Sequence, residues 1–189
     1  MTPVIVPGLG NSGPEHWQSL WQHKLPGAVR CEQTDWENPR KADWLVALDA
    51  CVRSVEGRCL LIAHSLGVAL VAHWAMEFHS NKVAGALLVS PSDIDSPAHT
   101  PESVRDFAPM PLQPLPFRSI VVASSNDPFV TLARAQQFAN AWQSELVSIG
   151  LCGHINADSG LGDWPQGLAI LARLGAGHMD SQSRNFAIG

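Results

Sequence analysis

Residues 59–70 read CLLIAHSLGVAL, and this segment carries the strongest indication of the fold class of the 189-residue chain. Residues 59–63 form a continuous apolar run, which is typical of a strand buried on both faces of a parallel sheet. Residues 66–78 continue as a helical pattern that is apolar on most sides, so we expect a buried central helix. Only His64 and Ser65 lie between the two elements, which predicts a sharp turn from strand to helix.

The same alternation of strand and helix continues on both sides of this stretch. Strands are predicted at residues 3–6, 28–32, 59–63, 83–90, 118–124 and 145–149. Helical patterns separate them, and strands that alternate with helices form a parallel sheet through right-handed crossovers. We therefore expect a three-layer α/β fold, with a compact, mainly parallel sheet of about six strands and helices on both faces.

Local signals mark where the helices begin. Ser12 and Glu15 have the spacing of a capping box before the first helix. Asn38 is predicted to open the second helix, Thr131 the fourth and Asp163 the last. These predictions rest on the preference of short polar side chains for the unpaired N–H groups of a helix start.

The length and the distribution of residue types suggest one domain. We place it at residues 1–176 and expect residues 177–189 to form a poorly ordered tail. Residues 91–117 are rich in proline, serine and aspartate. This composition predicts a loop or a short cap over one edge of the sheet.

The charge and the cysteine pattern exclude several classes of protein. The net charge is -5 with no basic face, so nucleic acid is not an expected partner. No signal-peptide pattern is present and no apolar run reaches the roughly 18 residues of a membrane span, so no membrane partner is expected. The four cysteines form no C-x-x-C pair and no metal-ligand spacing. Together these features favour a cytoplasmic protein with reduced thiols and no metal site.

Ser65 lies in AHSLG, which departs from the G-x-S-x-G pattern of nucleophilic serines only at Ala63. In that pattern the serine sits in a tight turn where the neighbouring backbone leaves room for small residues alone. Gly67 meets this need, and alanine is the next smallest residue after glycine. Ser65 is therefore interpreted either as a nucleophile or as the N-cap of the following helix, since serine is a favoured cap.

Two further residues fit the chain order Ser, Asp, His that accompanies this pattern. Asp127 follows the predicted strand at 118–124, and His154 follows the one at 145–149. Because the carboxyl ends of parallel strands meet at one edge of a sheet, we expect both side chains near Ser65. The predicted roles are nucleophile for Ser65, base for His154 and orienting acid for Asp127.

The chain contains other acids and histidines besides Asp127 and His154. Asp93 and Asp95 follow the fourth predicted strand and are rival acids, whereas Asp158 is too near His154 in sequence to be favoured. His73 is interpreted as a buried core residue. The histidines interpreted as surface or loop positions are His23, His79, His99 and His178.

An acyl-transfer site also needs N–H donors for the oxyanion. The N–H of Leu66, at the start of the predicted helix, is one candidate. The N–H of Leu9, in the glycine-rich loop at residues 7–10 after the first strand, is the second. That loop is open to two other interpretations, a phosphate cradle and a plain tight turn, although the G-x-G-x-x-G pattern is absent.

The chain resembles the small α/β-hydrolase-fold serine hydrolases typified by retinoblastoma-binding protein nine and its bacterial relatives. The matching segments are PGLGNSGPEHWQSLW near the start, DWENP at 35–39, AHSLG at 63–67, NDPFV at 126–130 and GHINADSGLGDWPQG at 153–167. The resemblance implies an α/β-hydrolase fold with no substantial lid, and the same three catalytic residues. It also marks Trp17, Trp36 and Trp164 as family positions, which we expect to pack in the core.

These observations predict a serine hydrolase that cleaves a small ester, thioester or amide through an acyl-enzyme, as carboxylesterases do, without a cofactor. The predicted partner is a small-molecule acyl substrate. Because no sizeable lid is expected, the site favours short-chain esters over long lipids. Two alternatives remain, a protein-interaction module on a hydrolase scaffold and acyl transfer to an acceptor other than water.

Overall fold

Six strands form one sheet in the computed structural model, which describes residues 1–78 and 80–176. The strands are β1 Thr2–Val6, β2 Val29–Arg30, β3 Cys59–His64, β4 Val83–Val89, β5 Arg118–Ala123 and β6 Glu145–Ser148. Their order in the sheet is β2-β1-β3-β4-β5-β6, and every neighbouring pair is parallel. The six predicted strands are therefore all present in the described residues.

Helices cover both faces of this sheet. They are α1 Trp17–Lys24, α2 Lys41–Ser54, α3 Leu66–Glu77, α4 Leu132–Trp142 and α5 Pro165–Ala176. Alternate residues of β1 show the two faces, since Val4 and Val6 belong to one core with residues of α2, α3 and α4, whereas Ile5 belongs to the other with residues of α1 and α5. The side-chain period of two thus builds two separate cores, and the predicted three-layer α/β fold is confirmed.

The edge strand β2 is shorter than the predicted strand at 28–32. Only Val29 and Arg30 pair with β1, although the N–H of Cys31 still donates to the carbonyl of Ile5 at 2.8 Å. A short edge strand exposes few unpaired backbone groups, which limits pairing with other chains.

The predicted capping box at Ser12 and Glu15 is wrong. Helix α1 begins at Trp17, and its N-cap is His16, whose Nδ1 accepts the N–H of Gln18 at 3.1 Å. The hydroxyl of Ser12 donates instead to Oε1 of the buried Gln18 at 2.6 Å. Ser12, which was predicted to cap the helix, thus forms a hydrogen bond in the protein interior instead.

Two other predicted helix starts also differ. Helix α2 begins at Lys41 rather than near Asn38, and the N–H of Lys41 donates to Asp106 at 2.7 Å, from a distant part of the chain. Helix α5 begins after Asp163, whose carboxylate pairs with Lys24 at 2.6 Å. In both cases the side chain predicted to open the helix does not do so.

The predicted cap at Thr131 is confirmed. Its side chain accepts the N–H of Arg134 at 3.1 Å at the start of α4.

Residues 91–117 form a cap that is anchored at several points. A 3₁₀ helix, Glu102–Phe107, buries Phe107 in the core shared with α2 and α3. The guanidinium of Arg105 donates to the carbonyls of Ile94, Ser96 and Thr100. The segment is therefore held by its own hydrogen bonds as well as by packing.

The predicted tail at residues 177–189 lies outside the described residues, as do His79 and His178. Within residues 1–78 and 80–176, no helix has both the length and the apolar character that a membrane crossing requires.

Candidate active site

Ser65 occupies the turn between β3 and α3 with φ 57° and ψ -125°, a conformation that is costly for any residue other than glycine. Its N–H donates to the carbonyl of Val89 at 3.0 Å, which fixes the turn to the end of β4. Ser65 holds the N-cap position of α3, yet its side chain makes no capping hydrogen bond. The hydroxyl is therefore available for another partner.

The backbone packs closely around this turn. A Cβ atom on Gly67 would lie 2.4 Å from the carbonyl oxygen of Val6 and 2.6 Å from that of Pro7. A Cβ atom on Gly8 would lie 2.8 Å from the Cβ of Ser65. The loop after β1 and the start of α3 thus approach each other to a distance that only glycine permits.

The three predicted side chains form a continuous chain of hydrogen bonds. Ser65 Oγ lies 2.9 Å from His154 Nε2. His154 Nδ1 lies 2.9 Å and 3.0 Å from the two carboxylate oxygens of Asp127. The carboxylate of Asp127 is fully buried and the His154 side chain nearly so. The structure therefore brings together residues that lie 89 and 27 positions apart in the sequence.

The rival acids have other partners. Arg134 binds Asp93 at 3.2 Å and Asp95 at 2.6 Å. Asp158 lies in a 3₁₀ helix, Ala157–Ser159, that follows His154 in the chain. His154 Nδ1 is occupied by Asp127, so none of the three rivals holds the position that orients the imidazole.

Asn126, which was not among the predicted site residues, joins the loops that carry Asp127 and His154. Its Oδ1 accepts the N–H of Gly153 at 2.8 Å and the hydroxyl of Ser124 at 2.8 Å. The neighbouring Asp127 also accepts the N–H of Phe129 at 2.9 Å. These bonds fix the carboxylate relative to the loop that follows β6.

Leu9 and Leu66, the two residues predicted to supply oxyanion donors, both line the cavity beside Ser65. The loop after β1 closes on itself, because the N–H of Asn11 donates to the carbonyl of Gly8 at 3.1 Å. A tight turn is thus present. Among the described residues, neither Leu9 nor Leu66 uses its N–H in a hydrogen bond.

A cavity of about 320 Å³ opens at Ser65. Its walls are largely apolar, and they include Val104 of the cap and Phe129 of the loop after β5. None of the described residues that line it is lysine, arginine, aspartate or glutamate. The space next to the serine therefore suits a small uncharged group.

Two histidines beside His154 extend the site. The ring centroids of His16 and His64 lie 4.7 Å apart, and those of His64 and His154 lie 4.8 Å apart. Burial lowers the pKa of His16 to about 4 and holds the pKa of His64 well below its ordinary value. The two rings next to His154 are thus neutral at pH 7. In the described part of the chain, no group of three or more His, Cys, Asp or Glu side chains is placed to hold a metal ion.

Ser92 is a second hydrogen-bond partner of Ser65, with 2.9 Å between the two hydroxyl oxygens. It follows β4, so four neighbouring strands each place one side chain at the same edge of the sheet. The rule that drew attention to Asp127 and His154 applies equally to Ser92. Ser92 was not among the predicted site residues, because a serine matches neither the acid nor the base that the chain order requires.

The tryptophans marked by the family resemblance pack rather than line the cavity. Trp17 and Trp164 are buried, and their ring centroids lie 5.0 Å apart. Trp36 packs on Trp44 at 5.6 Å. The expectation of a packing role is confirmed.

The sequence pattern of a family described as "Serine hydrolase" matches residues 3–173. The chain belongs to the serine hydrolase family. A YdeN-like hydrolase from Pectobacterium atrosepticum has a similar structure at 35% identity, with a TM-score of 0.81 and coverage of 92% of this chain and 89% of that one. No protein of curated function matches.

More distant structures share the fold of this serine hydrolase. The ydeN gene product of B. subtilis matches at 20% identity with a TM-score of 0.76, covering 93% of this chain and 98% of that one. Est1E from Butyrivibrio proteoclasticus, with ferulic acid bound, matches at 15% identity with a TM-score of 0.64, covering 96% and 89%. The predicted α/β-hydrolase fold is confirmed, and the protein is a hydrolase.

Proposed function

We propose that this serine hydrolase cleaves small uncharged acyl compounds through an acyl-enzyme formed on Ser65. The observation that carries the proposal is the chain of hydrogen bonds from Ser65 through His154 to Asp127, at 2.9 Å for each link. The serine at its end lies in a strained turn that directs the hydroxyl to the histidine instead of to the helix. Nucleophile, base and orienting acid are thus in bonding contact.

The proton positions follow from the acceptors. The carboxylate of Asp127 accepts, so Nδ1 of the neutral His154 carries the proton and Nε2 presents its lone pair to Ser65. As Ser65 Oγ attacks a substrate carbonyl, its proton passes to Nε2. The buried carboxylate stabilises the imidazolium that results.

The oxyanion is assigned to the N–H groups of Leu9 and Leu66. Both residues line the cavity beside the nucleophile, and among the described residues neither N–H donates a hydrogen bond to another group. The N–H of Leu66 also lies at the first turn of α3, where the helix dipole favours negative charge. Two preorganised donors of this kind are typical of acyl-transfer sites.

Breakdown of the acyl-enzyme repeats the same steps with water. The imidazolium of His154 first protonates the leaving group, and the neutral imidazole then accepts a proton from a water that attacks the acyl carbonyl. Ser65 Oγ recovers its proton from His154 as the acid departs. No further reactant is needed.

The substrate class follows from the cavity. A volume of about 320 Å³ is near the lower end for small-molecule sites, and the described lining carries no charge. Short-chain esters fit this space, and thioesters or amides with the same acyl group share the chemistry. Retinoblastoma-binding protein nine and its bacterial relatives remain the branch of the family that the sequence segments favour.

The test is covalent labelling with a fluorophosphonate probe followed by peptide mapping. Wild-type protein should be labelled on the peptide that contains Ser65, and Ser65→Ala should not be labelled. Ser96→Ala, which removes a serine of the cap without a side-chain bond to the site, serves as the matched control and should be labelled as wild type is. Unlabelled wild-type protein would contradict the proposal and favour the protein-interaction alternative.

A further inference from the structure

The hydroxyl of Ser92 is directed at the nucleophile. Its oxygen lies 2.9 Å from Ser65 Oγ, and the residue is 5% exposed. Within residues 1–78 and 80–176, this is the only hydrogen bond that the Ser92 side chain makes. The contact is therefore a feature of the site and not of the surrounding loop.

Counting protons gives the direction of this bond. Nε2 of the neutral His154 has a lone pair and no proton, so it accepts the single proton of Ser65. Ser65 Oγ then has no proton left for Ser92 and is the acceptor in their contact. Ser92 consequently donates to the atom that attacks the substrate.

The backbone on both sides of Ser92 is fixed. The N–H of Ser90 donates to the carbonyl of Val122 at 2.8 Å, and the N–H of Asp93 donates to the carbonyl of Phe129 at 3.0 Å. Both bonds connect the loop after β4 to β5 and to the loop that follows it. The hydroxyl of Ser92 is thus held in place before the reaction begins, which is the condition for electrostatic catalysis.

The turn at Ser65 does not depend on this hydroxyl. Its backbone is fixed by the bond from Ser65 N–H to Val89 and by the close approach of Gly8 and Gly67 to their neighbours. Removing the Ser92 hydroxyl therefore leaves the supports of the turn in place. Its effect falls on the chemistry of Ser65 Oγ.

We infer that Ser92 is a further catalytic residue, which donates a hydrogen bond to Ser65 Oγ as negative charge develops there. This inference rests on the proposed function. In acylation the Ser65 proton moves to His154, the Oγ lone pair forms the bond to the carbonyl carbon, and the carbonyl π electrons move to the oxyanion. The Ser92 O–H bond stays intact throughout. Its hydrogen bond strengthens as the acceptor gains charge.

The same interaction recurs in deacylation. There Ser65 Oγ is the leaving atom and again bears negative charge until His154 returns its proton. Both steps should slow together when the hydroxyl is removed, because the same atom is stabilised in each.

The experiment compares Ser92→Thr with Ser92→Val, a pair of similar shape that differs in the hydroxyl, and adds Ser92→Ala. Hydrolysis of p-nitrophenyl acetate and the rate of fluorophosphonate labelling are measured for each from pH 5 to 9. We expect Ser92→Val to fall about 10- to 100-fold below Ser92→Thr in kcat, since a hydrogen bond to a charged group has this effect on a rate. KM and the midpoint of the pH profile should not change.

Three outcomes decide the matter. Ser92→Ala at the wild-type rate overturns the inference. This outcome does not depend on how well the larger Thr and Val side chains fit at the position. A shifted pH midpoint in Ser92→Val also overturns it, because the hydroxyl would then act on His154. Wild-type protein that takes no label on Ser65 overturns the proposed function itself, and the inference with it. When wild-type Ser65 is labelled normally, the Ser92 variants test the inference alone.

Discussion

The ring of His64 donates from Nε2 to the backbone carbonyl of His154 at 2.9 Å. The residue before the proposed nucleophile thus supports the loop that carries the proposed base, 90 positions later in the chain. Because the pKa of His64 is held well below its ordinary value by burial, the ring stays neutral and keeps one proton for this bond.

Replacing His64 by phenylalanine should keep the ring packing and lose the donor. We expect kcat for p-nitrophenyl acetate to fall about tenfold, the effect of one hydrogen bond, as His154 is held less firmly. His73→Phe is the matched control, since His73 also donates to a backbone carbonyl, that of Phe107 at 2.6 Å, away from the triad. Equal losses of kcat in the two variants would contradict a positioning role for His64.

Asp127→Asn should lower the turnover of p-nitrophenyl acetate by about 10³ to 10⁴, because asparagine no longer selects the Nδ1–H tautomer of His154. Asp95→Asn removes a rival acid that pairs with Arg134, and its turnover should stay within about threefold of wild type. A large loss in Asp95→Asn with little change in Asp127→Asn would move the assignment of the acid.

Gly67→Ala should destabilise the protein by about 3 kcal/mol or more, because the added Cβ would lie 2.4 Å from the carbonyl oxygen of Val6. On helix propensity alone the same change should stabilise α3 by about 1 kcal/mol. The sign of the change in unfolding free energy therefore shows whether the steric clash or the helix propensity dominates. Gly13→Ala is the control, since its Cβ meets nothing within 4 Å. The free energies of unfolding in urea give the comparison, and a stabilised Gly67→Ala would show that the close approach does not exist.

Stability should fall as the pH is lowered from about 6.5 to 4. In this range the unfolded chain protonates its histidines, whereas His16 remains neutral in the folded protein because its pKa is about 4. The unfolded state therefore binds more protons, and His16 alone should account for a loss of about 3 kcal/mol. The lowered pKa values of His64 and His73 act in the same direction.

His16→Asn isolates the first of these contributions. Asparagine is a favoured N-cap, so α1 keeps an acceptor for the N–H of Gln18 while the titrating ring is removed. Urea unfolding at pH 7.5 and pH 4 should show a smaller pH effect in the variant by about 3 kcal/mol. An unchanged pH dependence would mean that His16 titrates alike in the folded and unfolded chains.

The strands and the three proposed catalytic positions could be predicted because their signals are local. Continuous apolar runs mark buried strands, and the carboxyl ends of parallel strands share one edge, which brings Asp127 and His154 to Ser65. Both inferences need only the order of residues along the chain.

The helix starts and the supporting residues depend on partners that are distant in sequence. Lys41 is capped by Asp106, 65 positions away, and no pattern around Asn38 reveals this. His16 lies in a segment that carries the family resemblance, yet its role becomes visible only when burial and the contact with His64 are known. Tertiary contacts of this kind override local preference.

The four side chains at the carboxyl edge of β3, β4, β5 and β6 come together only when these strands are assembled in one sheet. Hydrolytic activity therefore also reports the assembly of the sheet. A chain cut between α4 and β6 would place His154 on a separate fragment from Ser65 and Asp127. Such a pair of fragments should hydrolyse ester only when β6 adds itself to β5, as it does at Val121 and Leu146 in the intact sheet. The sheet of this small hydrolase thus offers a split reporter whose signal depends on the pairing of a single edge strand.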